Sequence, residues 1–148
     1  MADVNTRPGS TASQQTTDYD YSEIFLGCNT FDELTYTNST LAEVTLNAGT
    51  VMGKIAATGL ALPLDSGAGD GSQFPIGILA SPVVVAAGAS ANISVCVEGD
   101  VAEEMLIYFN GSDDGTTVVS GRQLRDRIGS DTVGVKLYGA ISPTKFDN

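Results

Sequence analysis

Apolar residues in this chain fall at every second position, in runs of a few residues that end at glycine or proline. In ANISVCVEG, Ile93, Val95 and Val97 alternate with Asn92, Ser94 and Cys96. A period of two belongs to a strand, whose side chains point to opposite faces in turn. The same alternation runs through AEVTLNAG (Val44, Leu46), TVMGKIA (Val51, Gly53, Ile55) and the closing VGVKLYGAI. Turns are expected at Asn47-Ala48-Gly49, at Thr58-Gly59 and at Gly88. LALPLD reads as an edge or short strand, because Pro63 has no N–H to give to a ladder. Seventeen glycines, with abundant Thr, Val and Ala, favour short strands joined by tight turns. The expected fold is mostly β: a small single-domain sandwich or barrel with one short helix.

The stretch GSQFPIGIL follows the turn-rich DSGAGDG and reads as a buried strand with Ile76, Ile78 and Leu79 in the core. Strict alternation puts Ile76 and Ile78 on one side, and Gly77 and Leu79 on the other. Glu98-Gly99-Asp100 reads as the end of the preceding run, and VAEEMLIYF fits a helix or a strand. The one helix is expected in SGRQLRDRIGS, with Ser120 as N-cap and Gly129 as the stop. Leu124 and Ile128 share one face of it. Arg122, Arg125 and Arg127 read as a solvated face, with Arg122 and Asp126 paired at i, i+4, in preference to a patch for an anion or acidic partner.

Charge narrows the function classes. The chain has 18 acids against 7 bases, a net charge of −11. Nucleic-acid binding needs a basic footprint, and anionic membrane surfaces repel such a chain. VVVAAGASA is too short to span a bilayer, and the polar N-terminus has no signal-peptide pattern. The expectation is a soluble protein made in a cytoplasm, with Cys28 and Cys96 as free thiols. At 148 residues the chain suits one domain that buries about 70% of its unfolded surface.

No catalytic pattern stands out. There is no histidine, the usual general base and commonest metal ligand. Phosphate-binding and nucleophile-elbow motifs are absent. Asp65 and Asp70 lie in a loop without the ligand spacing of an EF-hand, so a solvated turn is favoured. Glu98, Asp100, Glu103 and Glu104 read as a surface cluster. The sequons at Asn38, Asn92 and Asn110 read as chance matches in a Ser/Thr-rich chain. The expectation is therefore no enzyme, no catalytic residue, no metal and no cofactor.

The N-terminal region differs in texture. Residues 1 to about 20 are polar, with little to bury. YDYSEIFLGCNTFDELTY then carries Tyr19, Tyr21, Ile24, Phe25, Leu26, Phe31, Leu34 and Tyr36. Two readings stand: a strand or helix packed on the domain, or an arm that orders on a partner.

GTVMGKIAATG, the short LALPLD, a loop with DGSQ, then PIGIL and ISVCVEGDV, taken in order, resemble the phage head decoration proteins of the lambda type. The resemblance covers roughly residues 40 to 141. It implies a β-tulip-like fold with an extended N-terminal arm, and a homotrimer on the outer surface of an expanded phage capsid, bound to the major capsid protein and cementing the shell. It also implies a flexible arm over 1–36, with the aromatic and aliphatic residues just named as its capsid contacts, and a β-rich decoration domain over 37–148. The loop NGSDDGTT and the longer aromatic arm depart from the family pattern. The competing reading is a phage tail, fibre or adhesin β-domain that binds a host surface. A hydrolase using Glu98 and Glu103 is a third, minor reading.

Overall fold

The computed structural model describes residues 24–139, and its strands follow the alternation in the sequence. In chain order they are β1 (Phe25–Thr37), β2 (Val44–Leu46), β3 (Val51–Lys54), β4 (Ala61–Pro63), β5 (Pro75–Leu79), β6 (Val83–Val85), β7 (Ser90–Ala102), β8 (Val118–Val119) and β9 (Arg122–Gln123). The helix α1 (Leu124–Asp131) and the strand β10 (Gly134–Tyr138) follow. Hydrogen bonds run in the order β1-β4-β3-β5-β7, and β7 pairs back onto β1, so five strands close a barrel. Closure removes exposed sheet edges within the ring. One edge of the long β7 carries β1. The other carries β5 at Val95 and Cys96, then β10 from Glu98 to Ala102. Among the described residues the fold is mostly β with one α-helix, as the sequence pattern implies.

Two cores lie on opposite faces of the same strands. Leu46, Met52, Leu79, Val85, Ile93 and Val95 form one, closed by the β2–β6 pair. Val51, Ile78, Cys96, Val101, Leu124 and Ile128 belong to the other, under α1. Cys96, placed by alternation among polar neighbours, is fully buried because the helix layer covers its face. Both cysteines are free thiols, Cys28 exposed and Cys96 buried. Burial pushes the Cys96 thiol up, against hydrogen bonds from Asn29 and to Glu98.

Several local expectations need correction. Ile76 and Ile78 do not share a side: Ile76 packs with the Leu79 core, whereas Ile78 lies in the core under α1. The cause is a bulge. Met52 pairs with Gly77 and Gly53 with Pro75, so β5 advances two residues where β3 advances one. The extra residue turns Ile76 off the strict alternation. Glu98-Gly99-Asp100 does not end β7, which continues to Ala102. Gly99 has φ +117°, and a side chain there would strike Asn29, whose Cα lies 2.6 Å from the Cβ position. Here β1 is itself irregular, with register shifts between Phe25 and Phe31. The glycine lets the two bent strands stay paired.

The helix starts later than expected. Ser120 has φ +49° and Gly121 φ +80°, and together they form the two-residue loop of the β8–β9 hairpin. Two successive positive φ values suit the primed turns of tight hairpins. Ser-Gly is thus a turn, not a cap. Gly129 lies inside α1, which ends at Asp131. Thr132 follows, its hydroxyl donating to the Ile128 carbonyl at 2.6 Å. VAEEMLIYF divides between the end of β7 and a 3₁₀ turn at Glu103–Met105.

Asn38 is a structural residue. It is fully buried, and its amide donates to the carbonyls of Ala42 at 2.8 Å and Val85 at 2.9 Å. Its oxygen accepts from the Thr40 N–H at 3.0 Å. The side chain joins the end of β1 to the β2–β6 layer.

Candidate interaction surfaces

The sequence stretch 19–36 divides sharply in space. Tyr19 and Tyr21 lie outside the described residues. Ile24, Phe25 and Tyr36 are buried, and Leu34 packs partly against the core closed by the β2–β6 pair. Leu26 and Phe31 remain 50% and 38% exposed. Phe31 leans on Phe25 in an edge-to-face contact, with centroids 5.5 Å apart. The aromatic stretch from Phe25 onward is therefore β1, paired with β7 from Val101 down to Ser90. A boundary at residue 36 falls inside this strand. What sequence reading missed was the partner strand, which lies some sixty residues downstream and leaves no local signal.

Along the outward face of the β1–β7 pair runs a polar ladder. Thr30 bonds Glu98 at 3.1 Å, Thr35 bonds Asn92 at 3.4 Å, and the Thr37 and Ser90 hydroxyls meet at 2.8 Å. Cross-strand pairs of this kind add a few tenths of a kcal/mol to about 1 kcal/mol each. They fix the register of the strand that leads out to residues 1–23.

The DSGAGDG loop, which reads as a solvated turn, and the NGSDDGTT loop are latched together. Asp113 is buried and accepts from the Ser66 hydroxyl at 2.6 Å, the Ser66 N–H at 2.9 Å and the Asn110 amide at 2.7 Å. Burial works against its charge, but these hydrogen bonds outweigh burial and hold the carboxyl below its usual range. Asp70 is held low by Ser72, whose hydroxyl donates at 2.6 Å and whose N–H donates at 3.0 Å. Ser72 is buried, with its backbone against Gly53 of β3. The DSGAGDG loop is thus tied down at both ends.

Replacing Asp113 with Ala is expected to cost about 1–3 kcal/mol at neutral pH, because it removes three hydrogen bonds to a charged acceptor, from Ser66 and Asn110. A depressed folded pKa contributes stability above the unfolded value, near 4, and loses it as pH falls through the folded one. The gap between variant and parent should therefore shrink in acid. Thermal melts at neutral and acidic pH check this; an equal loss at both would show that the ionised carboxylate is not what holds the latch.

The arginine cluster splits by role. Arg127 is largely buried: Nε donates to the Val119 carbonyl at 2.7 Å, Nη1 pairs with Asp131 at 2.9 Å, and the guanidinium sits 4.9 Å from the Phe74 ring centroid. It pins α1 to the β8–β9 hairpin. Arg125 pairs with Glu103 at 2.8 Å. Arg122 reaches the backbone carbonyl of Asp126 at 3.4 Å rather than its carboxylate, so the expected i, i+4 ion pair is not made.

No helix among the described residues is long and apolar enough to cross a membrane. No curated protein matches the chain. A family model does: residues 23–128 match that of the bacteriophage lambda head decoration protein D. The match spans the closed barrel, both acidic loops and most of α1. Together with the mostly-β architecture of the described residues, it places this chain in the lambda head decoration protein family.

Proposed function

We propose that this chain binds the outer surface of an expanded phage head as a homotrimer, attaches to the major capsid protein, and stabilises the shell. It is made in the host cytoplasm and has no catalytic task. The observation that carries the reading is the family match over residues 23–128, which supports a capsid decoration role. The chain also has 23 residues ahead of Ile24, with Tyr19 and Tyr21 near their end. This leader is the proposed capsid-binding arm, and the exposed Leu26 and Phe31 of β1 extend its apolar contact.

The physical logic suits a joint under load. An extended arm gains main-chain hydrogen bonds by adding a strand to an exposed sheet edge of the capsid. Ordering it costs about 2–5 kcal/mol. Three arms on one trimer offset that cost through effective concentration, since the second and third bind almost intramolecularly. Deleting residues 1–22 removes the leader and spares β1. The shortened chain is expected to melt like the parent, yet to bind undecorated expanded capsids at least about a hundredfold more weakly. Co-sedimentation reads this directly; full-length affinity in the shortened chain would overturn the arm.

A further inference from the structure

We infer that an electropositive groove between α1 and β10 holds the acidic segment 18–23 of the same chain, docking the root of the leader on the body of the free protein. The inference concerns the free chain and stands whether or not the leader engages a capsid. The groove has a volume of about 510 Å³. Arg122, Arg125 and Lys136 supply its positive charge, opposed by Glu103 and Asp126. Among the described residues the ion pairs are Arg125–Glu103 and Arg127–Asp131, which leaves Arg122 and Lys136 without a carboxylate partner. Both are exposed. In a chain of net charge −11, two unpaired cations on one groove are a local exception.

Two observations choose the occupant. The first is position. The Ile24 carbonyl accepts from the Ala102 N–H at 2.9 Å. Ala102 pairs with Tyr138 of β10, and its neighbour Glu103 lines the groove together with Leu137. The chain ahead of Ile24 therefore starts across β7 from β10, about 10 Å (two strand spacings) from the β10 wall of the groove. Six extended residues span at most about 20 Å, enough to reach it. The second is charge. Residues 18–23 read Asp-Tyr-Asp-Tyr-Ser-Glu, the densest acidic stretch of the leader. In an extended segment Asp18 and Asp20 fall on one side and Tyr19 and Tyr21 on the other. The carboxylates then meet Arg122 and Lys136 while the rings face outward, where a partner can take them.

The test is amide hydrogen exchange on the full chain at low salt. Residues 18–23 should exchange about five- to tenfold more slowly than the same sequence in a free peptide, the effect of two or three exposed ion pairs acting together. Arg122→Glu with Lys136→Glu should abolish the protection, and adding Asp18→Lys with Asp20→Lys should restore it. Raising salt to about 0.5 M should remove it in the parent, since screening is then nearly complete beyond a few Å. Both groove positions are exposed, so an unchanged melt is expected for the reversals. Parent residues 18–23 exchanging at the free-peptide rate would overturn the docking, as would protection that survives the charge reversal. Protection that rises with protein concentration would overturn it too, by assigning the groove to the leader of a second copy.

Discussion

Deleting residues 1–36 is expected to abolish cooperative folding. The deletion removes Ile24, Phe25 and Tyr36, all of them in the cores. A fully buried side chain of this kind is worth about 1.5–3 kcal/mol, and a domain's whole stability is about 5–15 kcal/mol. Three such losses consume most of it. The deletion also opens the barrel, because β1 is the strand through which β4 and β7 close the ring. β7 would then expose a long unpaired edge, which invites association with other chains. Sequence texture suggests the opposite, since the regular alternation lies downstream of residue 40. Circular dichroism melts of the shortened chain decide between them. A sigmoidal transition near that of the parent would show that β1 is dispensable, and that the arm extends through residue 36 after all.

The second large effect lies in PIGIL. Ile78→Ala should cost about 2–5 kcal/mol, the range for deleting a fully buried aliphatic side chain. Ile78 is completely buried, in the core that holds Val51, Leu124 and Ile128. Gly77→Ala should cost about 1–3 kcal/mol by overpacking. A Cβ at residue 77 would collide with the Cys96 carbonyl and with Val95, at the point where β5 meets β7. Backbone cannot yield there as a flexible side chain would. Ile76→Ala should cost less than Ile78→Ala, because Ile76 is only partly buried and sits at the bulge. Denaturant titrations of the three variants rank them. Equal losses at residues 76 and 78 would contradict the bulge and restore simple alternation.

Much of the fold is legible in the period of two. Ile93, Val95 and Val97 share a core because nothing interrupts their alternation. Leu124 and Ile128 share a helical face at i, i+4 and are both fully buried. What escapes sequence reading is whatever depends on a distant partner. Cys96 looks outward until a helix from thirty residues downstream covers it. Asp113 looks solvated until the DSGAGDG loop brings Ser66 to it. Asn38 looks like a sequon, yet it is buried with three carbonyls around its amide. Ser120-Gly121 carries both a capping and a turn signal, and the hairpin wins because only the turn satisfies two positive φ values. In the interaction surface, the sequence marks the right segment but not its division. Phe25 and Phe31 are six residues apart in one aromatic run, and only strand pairing decides that the first is core and the second surface.

The decoration role itself is tested most directly by imaging. Undecorated expanded heads of the phage that encodes this chain, mixed with purified protein, should gain added density on the outer capsid surface, with threefold character and at sites distributed over the whole head. Each density should accommodate three copies of the five-stranded barrel. Heads that stay bare at saturating protein, or density confined to the tail, would contradict the account.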